Sequence, residues 1–364
     1  MKRPHQKLNP ASETAWEPSE IEVLGQCPIC QSKDRNVLHE SLTDTLFGCA
    51  PGRWALHACS ACNTAYIDPR PTEDSIGKAY AEYCTHPERE SDAFDQNLST
   101  VGISLLSSAR AILNGYRNSL WQMGLTPSNS YGRYLVALIP PVRALIDQQM
   151  RHMPRQASDK QGRLLDVGCG NGSFLKLAQK AGWSVHGIDF DPIAVAEARK
   201  GGMDIYLGSI EQLEAQEGTY DWITCSHVLE HVHDPQNLLQ SMYRLLRPGG
   251  ILWLQTPNIE SIGYRAYGTS WIGIDPPRHL TLMSIETLHK TLENSGFRTI
   301  FRRLPVISAM AVYAASNALK NGEKNAIGLP HTRIFRLRFL LLAVIQNLSL
   351  RHTEFHTAIA TRPK

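Results

Sequence analysis

From residue 163 onward the chain alternates short apolar runs with amphipathic stretches. RLLDVG (163–168), SVHGID (184–189), DIYLGS (204–209), DWITCSHV (221–228) and ILWLQTP (251–257) have strand length and composition. Between them, 173–181, 192–200 and 235–246 repeat apolar positions at helical spacing, and the last meets Arg247-Pro248-Gly249-Gly250, a stop-and-turn signal. Strand and helix alternating at this rhythm imply an α/β fold, a parallel doubly wound sheet covered on both faces. A further helix is predicted over 284–294, ending at Gly296. FRTIFRRLP and EFHTAIATRP then read as the last two strands, with a helical insertion at about 307–350.

The first half lacks this rhythm. Residues 1–20 are polar and read as a flexible leader, and 21–70 hold four paired cysteines among turn formers. Helical stretches follow at 75–83, 99–123 and 133–153, the last broken at Pro140-Pro141. The expected organisation is a leader (1–20), a zinc-ribbon-like module (21–70), a helical connector or cap (71–155) and a main domain (156–364) entered through a polar linker.

Charge narrows the partners. Thirty-seven Lys and Arg against 34 Asp and Glu leave a formal +3, too even for a nucleic-acid footprint. The basic start is not followed by an apolar stretch, so no signal peptide is predicted. The most apolar run, FLLLAVI (339–345), is too short to span a bilayer, and the expected location is cytoplasmic. The wider segment 334–350, with Arg336 and Arg338, would pack on the core, contact another subunit or touch a membrane. Packing is the plainest of these.

The most informative stretch is LLDVGCGNGSF (164–174). A buried strand ends in Asp166 and runs into Gly168, Gly170 and Gly172 before a helix whose first N–H groups are unpaired. A second acid, Asp189, closes the next strand about twenty residues on, where ribose hydroxyls would sit. A dinucleotide site would show G-x-G-x-x-G; here Ser173 stands where the third glycine would fall, and Asp166 would repel a pyrophosphate. Together DVGCGNG, HGIDFDP, YDWITCSHVLEHVHDP, LLRPGG and LWLQTPN resemble class I S-adenosylmethionine-dependent methyltransferases over about 160–304 and again at the final strand. The resemblance implies a seven-stranded, mostly parallel, Rossmann-like sheet with an antiparallel last strand, and S-adenosylmethionine as cofactor. By position, Asp166, Gly168, Gly170 and Gly172 would contact the methionine part. Asp189 would hold the ribose with Phe190 beside the adenine, Ser209 and Ile210 would meet the adenine edge, and Ser226 and His227 would lie near the transferring methyl.

Cys27-Pro-Ile-Cys30 and Cys59-Ser-Ala-Cys62 form two C-x2-C knuckles, the pattern of a closed four-thiolate zinc site with a structural role. Asn63 stands where ribbons often carry glycine, and asparagine tolerates the left-handed backbone. The competing reading, two redox pairs, would need a thioredoxin-like context that neither pair has. Cys49, Cys84, Cys169 and Cys225 read as small residues without a metal role.

Methyl transfer to a hydroxyl needs a base, and histidine suits neutral pH. One candidate region is His227 to Asp234, where His227, Glu230 and His231 share a face if the chain turns helically. It resembles the stretch of ubiquinone-pathway O-methyltransferases in which acids and a histidine hold a divalent ion, although the match is partial. The alternative is that Glu230 and His231 only fix the next helix start. The other region, 258–283, carries Tyr264, Tyr267, Trp271 and Asp275-Pro-Pro-Arg278-His279 and has the length of a substrate lid. His279 fits a Pro-x-His pattern of related small-molecule enzymes. His279 and His231 are therefore the candidate catalytic residues, against the reading that His279 caps the helix near Ser284. Ser226-His227 replaces the motif of amine methylation, which favours an oxygen acceptor. The expectation is O-methylation of a small-molecule or sugar-type intermediate. A zinc-finger RNA methyltransferase is the second reading, weakened because 21–70 carry only Lys33, Arg35, Arg53 and Arg70. A non-catalytic binder is the third. Oligomeric state is not legible.

Overall fold

The computed structural model describes residues 16–80, 103–155, 161–323 and 336–364. Most of the expected leader, Cys84, most of the linker and the middle of the 307–350 insertion lie outside them.

Seven strands form the main sheet: β6 (Arg163–Val167), β7 (Ser184–Asp189), β8 (Ile205–Leu207), β9 (Tyr220–Ser226), β10 (Leu246–Pro257), β12 (Arg298–Arg302) and β13 (Phe355–Thr361). Their order is β12-β13-β10-β9-β6-β7-β8. The pairs β10–β9, β9–β6, β6–β7 and β7–β8 are parallel, and β13 is antiparallel to both neighbours. This is the fold the sequence implied. The central strands are buried on both faces, so they read as apolar runs and not as alternating ones.

Helices close the two faces. One face is covered by α1 (Ile103–Trp121), α3 (Pro140–Gln149), α4 (Ser173–Lys180) and α5 (Pro192–Lys200), whose Trp121, Ile146, Phe174 and Val195 pack with Trp222 and Trp253 of the sheet. Short α2 (Gly132–Ala137) precedes α3, and the Pro140-Pro141 pair opens α3, where a missing N–H costs nothing. The other face is covered by α6 (Pro235–Leu245) and α8 (Ile285–Asn294), capped by Asp234 and Ser284.

The cysteine-bearing segment forms a sheet of β2 (Arg35–Leu42), β3 (Trp54–Cys59) and β4 (Ala65–Ile67). Its fourth strand, β11 (Thr281–Leu282), comes from the far end of the chain. The pair β1 (Ile21–Glu22) and β5 (Arg70–Pro71) closes beside it. Trp54, Leu56 and Ile67 of this sheet share a core with Tyr267 on α7 (Ile262–Tyr267), Trp271, Tyr313 on α9 (Val306–Lys320) and Phe339 on α10 (Leu337–Gln346). The aromatic stretch expected to form a lid is thus largely packed: Tyr267 and Trp271 are buried, and Tyr264 is half-buried with its hydroxyl 2.9 Å from His39 Nε2.

Candidate functional site

The strand tips at the carboxyl edge carry the predicted cofactor residues. After β6 the backbone enters the left-handed region at Gly168 (φ 71°), Gly170 (φ 53°) and Gly172 (φ 75°). At Gly168 the turn runs so close to Val228 that a Cβ would lie 2.2 Å from its Cγ2, so a side chain there would have to displace Val228. Gly172 leads directly into α4, and the amides of Gly168 and Cys169 bond Ile188 O.

Asp166 is fully buried. Oδ1 accepts from Arg151, which reaches in from the turn after α3, and from Thr224 Oγ1 at 2.7 Å. Burial pushes its carboxyl up and Arg151 opposes that push. Oδ2 is buried without a partner among the described residues, an acceptor left over beside the glycine loop. Asp189 receives the Gly170 amide on Oδ2 at 2.7 Å and the Asp191 amide on Oδ1 at 2.9 Å. Each oxygen keeps a second lone pair, which suits a ribose hydroxyl. Phe190 follows it with its side chain exposed, and Tyr80 approaches edge-on at 5.5 Å between ring centroids. After β8, Ser209 is exposed at the start of a 3-10 turn and Ile210 is buried. These groups fit S-adenosylmethionine: an unpaired buried acceptor, an acid with spare lone pairs and an exposed aromatic face.

Ser226 is the last residue of β9, and His227 turns the chain at φ 54°. Its Nδ1 lies 3.2 Å from Glu230 Oε1, and its ring packs edge-on against Phe355 at 4.7 Å. Glu230 is fully buried and accepts from Thr256 Oγ1 at 2.9 Å. Burial pushes its carboxyl up, but His227, His231 and His279 more than offset this and bring it down to about 2. Neither Glu230 nor His231 caps the following helix, since Asp234 does so by accepting from Asn237 N. His279 likewise leaves the cap of α8 to Ser284.

The two candidate histidines meet here, with ring centroids 4.6 Å apart. His231 Nδ1 is 3.1 Å from Arg278 O and 3.0 Å from Tyr80 Oη. His279 Nδ1 is 2.8 Å from Gly273 O. A carbonyl can only accept, so each Nδ1 carries a proton, and any lone pair for substrate is the one on Nε2. Burial, then His279, depresses His231 to about 4, so it is neutral at pH 7. His279 Nε2 lies 4.0 Å from both Glu230 Oε1 and Asp275 Oδ2. Glu230, His231 and His279 offer three ligand atoms within 4.8 Å of one another.

What holds this loop was not foreseen. Arg278 is fully buried and donates to Asp275 (3.0 and 2.6 Å), to Asp44 (3.0 and 2.7 Å) and to Ala79 O at 3.0 Å. Asp44, in the loop after β2, also accepts the amides of Phe47, Cys49 and Ala50. Arg151, Asp44 and Tyr80 have no local pattern that marks them. Only the third dimension pairs them with Asp166, Arg278 and His231.

The four cysteines of the knuckles converge. Cys27 and Cys62 sulfurs are 3.6 Å apart, Cys30 and Cys59 sulfurs 3.4 Å, and all four lie within 4.8 Å of one another as free thiols. A tetrahedral ion with sulfurs at about 2.3 Å places its ligands roughly 3.8 Å from one another, so the donor set fits zinc. The knuckles close through Gln31 N to Cys27 O and Asn63 N to Cys59 O, with Gln31 (φ 61°) and Asn63 (φ 58°) left-handed.

A family model described as a methyltransferase domain matches residues 142–300. Ubiquinone biosynthesis O-methyltransferases of Xanthomonas oryzae and Xanthomonas axonopodis are 36% and 34% identical over 125 residues, which are 32% of this chain and 52% of each relative. The chain therefore spans about half the length of the curated relatives it matches. Among solved structures, a methyltransferase from Archaeoglobus fulgidus aligns at 21% identity and TM-score 0.40, covering 60% of this chain and 94% of that one. One from Mesorhizobium loti aligns at 19% and 0.42, covering 60% and 98%. Residues 142–300 thus match a methyltransferase-domain model, and the glycine loop and the parallel strands described above lie within them.

Proposed function

We propose that the chain methylates an oxygen of a small-molecule acceptor, using S-adenosylmethionine, and that zinc braces its cysteine module. The observation that carries this reading is the histidine pair at the tip of β9, each ring fixed by a backbone carbonyl so that any lone pair for substrate is the one on Nε2. When bound, S-adenosylmethionine supplies a methyl on a cationic sulfur, ready for in-line displacement. Asp166 Oδ2 would accept from the amino group, Asp189 from the ribose, and Phe190 would face the adenine. His279 Nε2 would take the acceptor's hydroxyl proton as the oxygen attacks the methyl carbon. Glu230 and Asp275, each 4.0 Å away, would stabilise the imidazolium that forms. His231, neutral and held by Arg278 O and Tyr80, would orient the acceptor. The match of residues 142–300 to a methyltransferase-domain model supports the reading, as does the likeness to O-methyltransferases.

Cys27, Cys30, Cys59 and Cys62 would hold zinc in a closed tetrahedron, leaving no coordination position for substrate, so its contribution is structural. His279→Ala tests the base. With acceptors screened by release of S-adenosylhomocysteine, the variant should bind the cofactor normally and turn over about a hundredfold more slowly. Unchanged turnover would remove His279 from the mechanism.

A further inference from the structure

Helix α10 has an unusual surface. Phe339 and Ala343 on one side pack into the core shared with α9. The opposite side is also apolar: Leu337, Leu340, Leu341, Val344, Ile345 and, just past the helix, Leu348 are between 41% and 76% exposed. Their spacing, i, i+3, i+4, i+7, i+8 and i+11, makes one continuous stripe. Such a stripe exposes on the order of 500 Å² of apolar surface, near the upper limit of what monomers leave open without a use.

The chain segment that carries the stripe is basic. Between residues 325 and 353 the sequence has Arg333, Arg336, Arg338 and Arg351 and no Asp or Glu. Arg351 is paired with Glu260 and Glu286. Arg336 and Arg338, at the start of the stripe, are exposed and have no carboxylate partner among the described residues. Arg338 instead donates to Tyr267 Oη at 3.1 Å, which ties this helix to the segment between β10 and β11 beside the candidate site.

From this we infer that α10 seats the protein on an anionic lipid surface, aliphatic stripe inserted among the acyl chains and Arg336 and Arg338 at the headgroups. Ten residues of helix, about 15 Å, cannot cross a bilayer but can lie in its interface. No helix among the described residues is long and apolar enough to cross one. A second copy fits the patch less well. The exposed area falls short of the roughly 800 Å² per partner of a stable interface. Anionic headgroups satisfy the arginines, and inserted aliphatic groups gain the burial they lack here.

The test is flotation of the full-length protein with vesicles of phosphatidylcholine alone or mixed with phosphatidylglycerol. Binding should require the anionic lipid and weaken with salt. Leu341→Ser with Val344→Ser, and separately Arg336→Gln with Arg338→Gln, should each lower it by roughly tenfold or more. All four positions are exposed, so circular dichroism should confirm an unchanged fold. Failure to float with anionic vesicles would overturn the inference. So would a concentration-dependent dimer in sedimentation velocity that the serine variant disperses, which would make the stripe a contact between copies.

Discussion

The buried cluster of Asp44, Arg278 and Asp275 gives the sharpest test of how the cysteine-bearing segment supports the candidate site. One guanidinium neutralises two carboxylates, and all three side chains are almost wholly inaccessible to water. Asp44→Asn leaves Arg278 a full partner in Asp275, so the cost falls near the lower end of the ~3–5 kcal/mol for breaking a buried pair. Arg278→Met strands both acids and should cost at the upper end or beyond. The ranking is therefore specific: the methionine variant loses at least about 1–2 kcal/mol more than the asparagine variant, although methionine is the better hydrophobe. Urea denaturation at pH 7 measures both, provided the denaturant slope is unchanged. Asp44 is depressed in the fold, since Arg278 and the amides of Ala50 and Phe47 outweigh its burial. Its stabilisation is present above its unfolded value of 3.8 and lost as pH falls through the folded value, so the gap between wild type and Asp44→Asn should shrink in acid. Turnover, assayed where the variants remain folded, should fall too, because Arg278 O fixes the tautomer of His231. If both variants lay within 1 kcal/mol of wild type with normal turnover, the cluster would not be a brace and this reasoning would fail.

Asp189→Ala should weaken S-adenosylmethionine binding about tenfold by calorimetry, since it removes a ribose acceptor and frees the Gly170 amide; unaltered affinity would displace Asp189 from the site. Metal analysis should find one zinc per chain, and Cys59→Ser should lose it together with several degrees of melting temperature. Glu354 is buried, accepts from Gly263 N and Trp271 Nε1, and is pushed up to about 7, burial being the largest cause. A carboxyl raised in the fold stabilises fully below its unfolded value of 4.5 and loses that contribution as pH rises through 7. Glu354→Gln should therefore gain on wild type between pH 4.5 and 8, by up to about 3 kcal/mol, and a pH-independent difference in urea unfolding would contradict this.

The sequence exposed what is written locally. Buried parallel strands show as apolar runs, and the glycine loop is unmistakable because Gly168, Gly170 and Gly172 all need positive φ within five residues. The helices at 173–180, 192–200, 235–245 and 285–294 lie within a residue or so of expectation, set by Asp191, Asp234 and Ser284 at their starts. What stayed hidden is pairing at a distance. Arg151 sits in a turn with no periodic signature, yet lies over the Phe174 ring at 3.8 Å and neutralises Asp166. Tyr80 reaches His231 across 151 residues, and Asp44 reaches Arg278 across 234. The aromatics of 258–283 suggested a mobile cover, but hydrophobicity alone does not distinguish a cover from a wall, and Tyr267 and Trp271 are wall.

The two-residue strand that joins the cysteine-bearing sheet from the far end of the chain bears on how this protein can be rearranged. Thr281 and Leu282 dock against Tyr66 and Ala65, two positions beyond His279. Splitting the chain near residue 80 would strip one half of an edge strand and the other of its anchor beside the candidate base. Transplanting the front segment onto a different transferase would likewise have to supply that short strand from the host. The joint is a woven seam, and it ties the inheritance of the front segment to that of the loop it steadies.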